Sequence, residues 1–272
     1  MMNTAQVEPQ QVLVRVHGDE SAPTLVYLPG LHGNWRLIGA FRKALAGRVR
    51  FVEVSYPPTL EWTSEEYAAA VEEGLTARGI RGGWLLAESF GSTVAWPILA
   101  RNQFRVRGLV LAGGFVRHPF SLEVRLAERF CGQISFAVLV RLLFGYARVA
   151  RFRFRNSPET WESIKDFVGH LTEADRQAAK HRLHLVGLSD SCAIARKATI
   201  PVYAVTGLLD PVVPWYWVRR WLKRNCPALR DYQIIWHADH NVLGTAPAAA
   251  AERILAWINS CKPKIRNPKD EV

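Results

Sequence analysis

Short apolar runs alternate with amphipathic segments along the first part of the chain. The runs have the length and continuity of strands buried on both faces of a sheet, and they lie at residues 24–28, 49–54, 83–86 and 108–112. A weaker alternation at 12–16 indicates an edge strand, and apolar positions at helical spacing predict helices at 35–45, 63–78 and 91–99. Strands that alternate with helices in this way predict a mostly parallel, doubly wound α/β sheet.

The pattern changes at residue 116, after which no buried strand is visible up to residue 198 and the segments look helical. The earlier rhythm then resumes with a strand at 200–206, a helix at 215–225, a strand at 232–236 and a helix at 247–260. We therefore expect one α/β core, built from residues 1–115 and 200–272, with a helical insertion at 116–199.

Composition narrows the class of protein. The chain has 272 residues, of which 49% are hydrophobic, and this is enough for one large core. No apolar run approaches the roughly 20 residues that cross a bilayer, and the first residues lack the basic and apolar regions of a secretory signal. The four cysteines are scattered, with no pair at zinc-ligand spacing. These features predict a cytoplasmic protein with reduced thiols, no transmembrane segment and no metal site.

The formal net charge of +11 raises the question of an anionic partner. Such a surface is either simply solvated or attracts an acidic carrier protein, a nucleic acid or an anionic lipid surface. No basic segment forms a recognisable nucleic-acid-binding module, so we expect no nucleic-acid partner.

The candidate chemistry centres on Ser89, which follows the apolar run 83–86 and precedes the predicted helix 91–99. A serine at a sharp strand-to-helix turn has a strained backbone, so the residues two positions away have to be small. Ala87 and Gly91 meet that demand, although the usual G-x-S-x-G pattern has glycine at both places. The stretch is typical of a nucleophile elbow, but a match this short also arises by chance.

A serine hydroxyl needs a base to take its proton and an acid to orient that base. Asp210 follows the strand at 200–206, and His240 follows the last predicted strand, so both lie at strand ends. The chain order serine, aspartate, histidine is the one that triads on this kind of sheet use. His237 lies nearer the strand end and stays an alternative base.

Other polar residues beside these motifs have structural explanations. Asp239 is expected to be a loop carboxylate, because it would point away from its neighbour His240. Glu88 is expected to form a structural hydrogen bond, with a role as general acid as the alternative. Residues 113–116 contain no carboxylate, which favours Asp210 as the acid.

Four motifs in this order resemble those of the α/β-hydrolase superfamily, and the resemblance covers residues 12–260. They are the turn 27–33, the elbow 87–91, the turn 210–214 and the segment 238–240 before the last helix. The resemblance implies a serine that attacks an acyl carbon without a cofactor, beneath a helical lid. Epoxide hydrolases and haloalkane dehalogenases share the fold but need an aspartate nucleophile, so the serine excludes these branches.

The resemblance also implies which main-chain N–H groups hold the negative oxygen of the reacting acyl group. These are the N–H groups of Phe90 and of Leu31, which closely follows a strand. If the family's His-Gly pair aligned with His32 and Gly33 instead, Asn34 would be the donor. His32 itself either hydrogen-bonds its own loop or supports this oxyanion site.

The sequence thus predicts a serine hydrolase for a small-molecule carboxylic ester or thioester, with Ser89 as nucleophile, His240 as base and Asp210 as the orienting acid. One alternative is a carbon–carbon bond hydrolase or an acyltransferase with the same three residues. Another is a binding protein that has kept the fold without catalysis. Three aromatic residues after strand ends are predicted to line an acyl pocket: Trp35, Phe115 and Trp215.

Within the insertion, Arg151, Arg153 and Arg155 alternate with Phe152 and Phe154. If this piece is extended, the three arginines lie on one side of it. The alternation then predicts a basic part of the lid that draws in an anionic substrate or an acidic carrier protein. The alternative is an ordinary solvated surface.

Overall fold

The computed structural model describes residues 11–120, 124, 162, 166, 167 and 169–261. Its strands are β1 (Leu13–His17), β2 (Thr24–Leu28), β3 (Arg50–Ser55), β4 (Gly82–Glu88), β5 (Arg105–Ala112), β6 (Val202–Gly207) and β7 (Leu229–Ile235). They form one sheet in the order β1-β3-β2-β4-β5-β6-β7, in which β1 is antiparallel to β3 and all other neighbours are parallel. The predicted fold class is confirmed.

From β2 onward, helices separate consecutive strands of the described chain, and two more follow β7. The helices are α1 (Gly39–Leu45), α2 (Ser64–Ala77), α3 (Gly91–Arg101), α4 (Glu173–Leu188), α5 (Cys192–Lys197), α6 (Trp215–Asn225), α7 (Val242–Thr245) and α8 (Pro247–Ser260), with a 3₁₀ turn at Arg36–Ile38. α2 begins with the predicted capping box, since the Glu66 N–H donates to Thr63 Oγ1 at 3.3 Å and the Thr63 N–H donates to Glu66 Oε2 at 2.7 Å.

Two apolar clusters cover the two faces of the sheet. α2 and α3 pack against one face, where Tyr67 and Trp96 are fully buried. α1 and α8 pack against the other face, where Phe41 and Ile254 are fully buried. Because both faces are covered, the central strands are continuous apolar runs, and this is why the sequence shows them.

The sequence identifies all seven strands but misplaces several of their ends. β5 begins at Arg105 rather than at 108, because its first residues are partly exposed and polar and do not extend the apolar run. β7 begins at Leu229 rather than at 232, and the predicted helix 35–45 is divided into the 3₁₀ turn and α1. Helix ends and edge strands carry weaker apolar patterns than buried strands.

Within the predicted insertion, the regular elements that the structure describes in full are α4 and α5. Arg151, Arg153 and Arg155 lie outside the described residues, so the basic part of the lid and the division into core and lid stay predictions. No helix in the described ranges is long and apolar enough to span a membrane.

Gly91 permits the close approach of β2 to the turn after β4. A Cβ at Gly91 would lie 2.3 Å from the Leu28 carbonyl oxygen. We therefore expect Gly91→Ala to lower the free energy of unfolding by about 1–3 kcal/mol, because the backbone has to move to admit the methyl group. Chemical denaturation measures this effect, with Gly169→Ala as the control, since nothing lies within 4 Å of a Cβ there. Equal denaturation midpoints for the two variants would contradict the prediction.

Candidate active site

Ser89 lies at the turn between β4 and α3, and its backbone has a φ of 48°. This left-handed conformation is strained for serine and persists only where the surroundings hold it. The Ser89 N–H donates to the Ala112 carbonyl oxygen at 3.0 Å, and the Ser89 carbonyl oxygen accepts from the Ser92 N–H at 2.9 Å. The turn therefore holds the Ser89 hydroxyl at the carboxyl edge of the sheet, where the residue is 8% exposed.

Three side chains from three strand ends form a hydrogen-bonded row. His240 Nε2 lies 2.9 Å from Ser89 Oγ, and His240 Nδ1 lies 2.8 Å from Asp210 Oδ2. A neutral imidazole that donates from Nδ1 to the carboxylate has its acceptor at Nε2. The row can therefore move the hydroxyl proton of the serine to the histidine.

The Asp210 carboxylate is held in a fixed orientation. Its side chain is fully buried, and Oδ1 accepts from the N–H groups of Val212 and Val213 at 2.8 and 2.9 Å. The neighbouring Leu209 N–H donates to the Ala238 carbonyl oxygen at 3.1 Å, which joins the aspartate loop to the histidine loop. The free oxygen Oδ2 consequently points at the imidazole.

Opposing effects act on the protonation of His240. Burial alone lowers the pKa of this histidine, but the hydrogen bond to Asp210 and the negative charges of Asp210, Glu88 and Asp239 outweigh it. The pKa of His240 therefore lies above its usual value. An imidazolium formed at this position is stabilised by its surroundings.

Two main-chain N–H groups close to the serine lack acceptors within the described ranges of the chain. One belongs to Phe90, the first residue after Ser89, and the other to Leu31. The loop with Leu31 approaches the serine closely, because a Cβ at Gly30 would lie 3.5 Å from Ser89 Cβ. Both N–H groups are available to an oxygen atom bound beside the hydroxyl.

A buried polar cluster connects this loop to β4. The Tyr27 hydroxyl donates to Glu88, and His32 Nε2 lies 3.2 Å from the Tyr27 oxygen and 3.7 Å from Glu88 Oε2. Burial lowers the pKa of His32, whereas burial and the Glu88 carboxylate raise the pKa of Tyr27, so both side chains are neutral at physiological pH. Glu88 thus forms a structural hydrogen bond, and His32 contacts a side chain beyond its own loop.

Arg182 reaches the same loop from α4, and the sequence analysis does not identify it. Its Nε donates to the Leu31 carbonyl oxygen at 2.8 Å, and only 2% of the residue is exposed. The guanidinium fills the space that a side chain at position 33 would need. A Cβ at Gly33 would lie only 2.8 Å from Arg182 Cζ. Burial lowers the pKa of Arg182, although the nearby tyrosines Tyr67 and Tyr56 act in the opposite direction. A buried cation therefore holds the main chain of Leu31, the residue predicted to be an oxyanion donor.

A sequence model of the alpha/beta hydrolase family matches residues 25–253. The chain belongs to the alpha/beta hydrolase family. The matched range begins in β2 and ends in α8, so it includes the serine, aspartate and histidine of the hydrogen-bonded row.

Solved structures with this alpha/beta hydrolase fold include a hydrolase from Pseudomonas aeruginosa PA01, with a TM-score of 0.75, 17% identity and coverage of 91% of this chain and 94% of that one. A thermophilic esterase from Thermogutta terrifontis has a TM-score of 0.72, 20% identity and coverage of 93% and 94%. At such low sequence identities, the similarity to these structures shows only that the fold is shared.

Phytyl ester synthase 1, chloroplastic, from Arabidopsis thaliana is 30% identical over 46% of this chain. The chain spans only 19% of that longer protein.

Two polar residues close to His240 in the sequence do not belong to the hydrogen-bonded row. His237 is exposed, whereas His240 is the histidine beside the serine. Asp239 accepts from the Asn241 N–H at 3.0 Å and the Thr245 hydroxyl at 3.2 Å, so it binds its own loop. Across the described ranges, no group of three or more His, Cys, Asp or Glu side chains could hold a metal ion.

The three aromatic residues predicted to line an acyl pocket lie in different surroundings. Trp35 packs against the cluster on the α1 and α8 face, under the Arg15 guanidinium at 4.2 Å. Phe115 is 2% exposed in the cluster on the opposite face. Trp215 Nε1 donates to the Leu208 carbonyl oxygen at 3.2 Å. The structure does not bring the three together, and their role in substrate binding stays a prediction.

Proposed function

We propose that the chain is a serine hydrolase that cleaves a small carboxylic ester or thioester through an acyl-enzyme. The observation that carries this proposal is the row of hydrogen bonds from Asp210 through His240 to the Ser89 hydroxyl. The N–H groups of Leu31 and Phe90 support it, because they supply donors for the oxygen that becomes negative during acyl transfer.

The reaction follows from these positions. Ser89 Oγ attacks the acyl carbon while His240 Nε2 takes the hydroxyl proton, and the carbonyl oxygen becomes an oxyanion held by the two N–H groups. His240 then donates the proton to the departing alkoxide or thiolate, which leaves the acyl group on Ser89. A water molecule, deprotonated by the same histidine, then attacks the acyl carbon. The bond from that carbon to Ser89 Oγ breaks, the carboxylic acid leaves, and His240 returns the proton to Ser89 Oγ.

An organophosphonate probe tests the proposal, because it reacts with a serine only where a neighbouring base activates the hydroxyl. We expect one adduct, on the peptide that contains Ser89, and we expect it to be absent from Ser89→Ala. Mass spectrometry locates the adduct. A folded protein without an adduct would overturn the assignment and favour a binding protein on the hydrolase fold.

Acyl transfer to an alcohol is a second candidate, because the chain is similar over part of its length to a protein named as a phytyl ester synthase. The same acyl-enzyme serves both reactions, and the choice depends on whether water or an alcohol reaches it first. Assays with p-nitrophenyl esters of increasing acyl length, with and without a long-chain alcohol, separate the two. Formation of the new ester at the expense of free acid would favour transfer.

The proposed base has a predicted pH dependence. We expect kcat/KM for a neutral ester to rise with pH and level off above the pKa of His240, because only the neutral imidazole accepts the serine proton. Since Asp210 raises that pKa, the midpoint should lie above the usual histidine value of about 6.5. A pH–rate profile measures the midpoint, with unfolding checked over the same range. A rate independent of pH through this range would contradict the role of His240.

Arg182 is predicted to act by positioning the loop of Leu31. We expect Arg182→Met to lower kcat about tenfold with little change in KM, since a misplaced N–H weakens binding of the oxyanion more than of the ester. Affinity for a boronic acid that mimics the tetrahedral state should fall in parallel with kcat. Arg182→Lys keeps a donor and should retain more activity.

The matched control for this prediction is Arg176→Met on the same helix, because Arg176 pairs with Glu173 and not with the loop. We expect wild-type kinetics for that variant. A rise in KM alone for Arg182→Met, or a loss of activity explained by unfolding, would contradict a positioning role.

A further inference from the structure

One face of α6 combines aromatic rings, of which Trp217 is exposed, with arginine side chains. Trp217, Arg220, Trp221 and Arg224 recur at helical spacing and therefore share a face of the helix. Together with Arg117 they line a groove of about 290 Å³. These five residues are called the aromatic–arginine groove below. Val218 and Leu222 of α6 are buried in the core and form the floor of the same groove, and Trp221 packs against that core cluster.

The positive charge of the groove is largely unneutralised. Arg117 pairs with Asp190 at 3.0 Å, but Arg220 and Arg224 have no ion-pair partner within the residues that the structure describes. α6 contains no acidic residue, and Arg196 adds a further cation over the Trp221 ring at 5.8 Å. The surface is therefore complementary to a partner that carries negative charge.

Four large apolar side chains are exposed in the short segment from Leu209 to Trp217. Tyr216 and Trp217 are 55% and 53% exposed, with their ring centroids 6.0 Å apart. Leu209 and Val212, on either side of Asp210 in the preceding loop, are 49% and 50% exposed. A single exposed apolar side chain is ordinary, but a row of four in one short segment marks an interaction surface.

Tryptophan and tyrosine favour the boundary between water and lipid, and arginine pairs with phosphate through two parallel hydrogen bonds. We propose that the aromatic–arginine groove docks the chain reversibly on an anionic lipid bilayer. Arg220 and Arg224 bind lipid phosphates, and Trp217 enters the headgroup layer with the apolar row beside it. An acidic protein would match the arginines but would not by itself account for the apolar row.

Vesicle flotation tests the charge requirement of this docking. The wild type should bind vesicles of phosphatidylcholine and phosphatidylglycerol but not of phosphatidylcholine alone, and added salt should weaken binding. Each arginine near an anionic surface contributes about a fivefold gain in affinity, so the double variant Arg220→Gln, Arg224→Gln should bind about 25-fold more weakly. The double variant Arg78→Gln, Arg81→Gln is the matched control, because these exposed arginines lie between α2 and β4 and do not line the groove.

The aromatic contribution is tested at constant charge. Trp217→Ser should weaken binding to the anionic vesicles, whereas Trp236→Ser should not, because Trp236 is 73% exposed but lies outside the groove. Lipids with brominated chains should quench part of the tryptophan fluorescence of the wild type. In Trp217→Phe this quenching should be lost.

Three results would overturn the proposal. They are the absence of binding to anionic vesicles, equal losses in the two double-arginine variants, and capture of a polyglutamate peptide by a chain that does not bind vesicles. The last result would identify an acidic protein as the partner. Ser89→Ala should bind vesicles like the wild type, so the outcome does not depend on the proposed hydrolase activity.

Discussion

Replacing Ser89 by alanine is expected to lower kcat/KM for an ester by about 10⁴-fold or more, because the variant lacks the oxygen atom that we propose forms the acyl-enzyme. The N–H groups of Leu31 and Phe90 remain in this variant, and as the proposed oxyanion donors they should support a small residual rate. The fold should be retained, since the contacts of Ser89 with Ala112 and Ser92 use main-chain atoms of residue 89. Initial rates with p-nitrophenyl esters measure the loss.

Ser92→Ala is the matched control for this substitution. The Ser92 hydroxyl is buried, donates to the Ser89 carbonyl oxygen at 2.6 Å and accepts from the Phe115 N–H at 3.2 Å. Its removal should reduce stability by about 1–3 kcal/mol, the cost of a buried group without its partner, and should leave phosphonate labelling intact. Activity of Ser89→Ala comparable to that of Ser92→Ala would show that another residue is the nucleophile.

Replacing Asp210 by asparagine is expected to lower kcat/KM by about 10⁴-fold while preserving the local structure. The asparagine oxygen can still accept from the N–H groups of Val212 and Val213, so its amide nitrogen faces His240 Nδ1. That nitrogen is a donor, which makes Nδ1 an acceptor and places the histidine proton on Nε2, beside Ser89. The base is then blocked by its own proton.

Asp239→Asn is the control, because Asp239 also raises the pKa of His240 while its carboxylate accepts hydrogen bonds from Asn241 and Thr245. For Asp239→Asn we expect kcat/KM to fall by less than about tenfold, because this carboxylate affects His240 only through its charge. NMR of the imidazole nitrogens identifies the tautomer in each variant. Retention of the Nδ1–H tautomer in Asp210→Asn would contradict the explanation even if the rate fell.

The sequence predicts the parts of this molecule that depend on local pattern. The strands buried on both faces are continuous apolar runs, and the elbow requires small residues at fixed distances from Ser89. The proximity of Asp210 and His240 to Ser89 is predicted from the rule that parallel strands bring their carboxyl ends to one edge of the sheet. The close distances among the three side chains agree with that reasoning.

The contacts between distant segments are not visible in the sequence. Position 182 shares one face of α4 with the buried residues Ala178, Leu185 and Val186, and this spacing is the signal that could have identified it. An arginine in such a pattern is ordinarily interpreted as solvated. Its burial depends on the space left by Gly33, which is far away in the sequence. Likewise, nothing local shows that Tyr27, Glu88 and His32 meet.

The hydrogen bond from Arg182 to Leu31 also limits how this scaffold can be re-engineered. Exchanging the whole segment between β5 and β6 for one from another hydrolase would replace α4 and α5. In this chain such a chimera would discard the guanidinium that fills the space beside Gly33, and it would leave the Leu31 carbonyl oxygen without its donor. A graft that retains α4 and replaces only the residues before it keeps the bond from Arg182 to Leu31 intact.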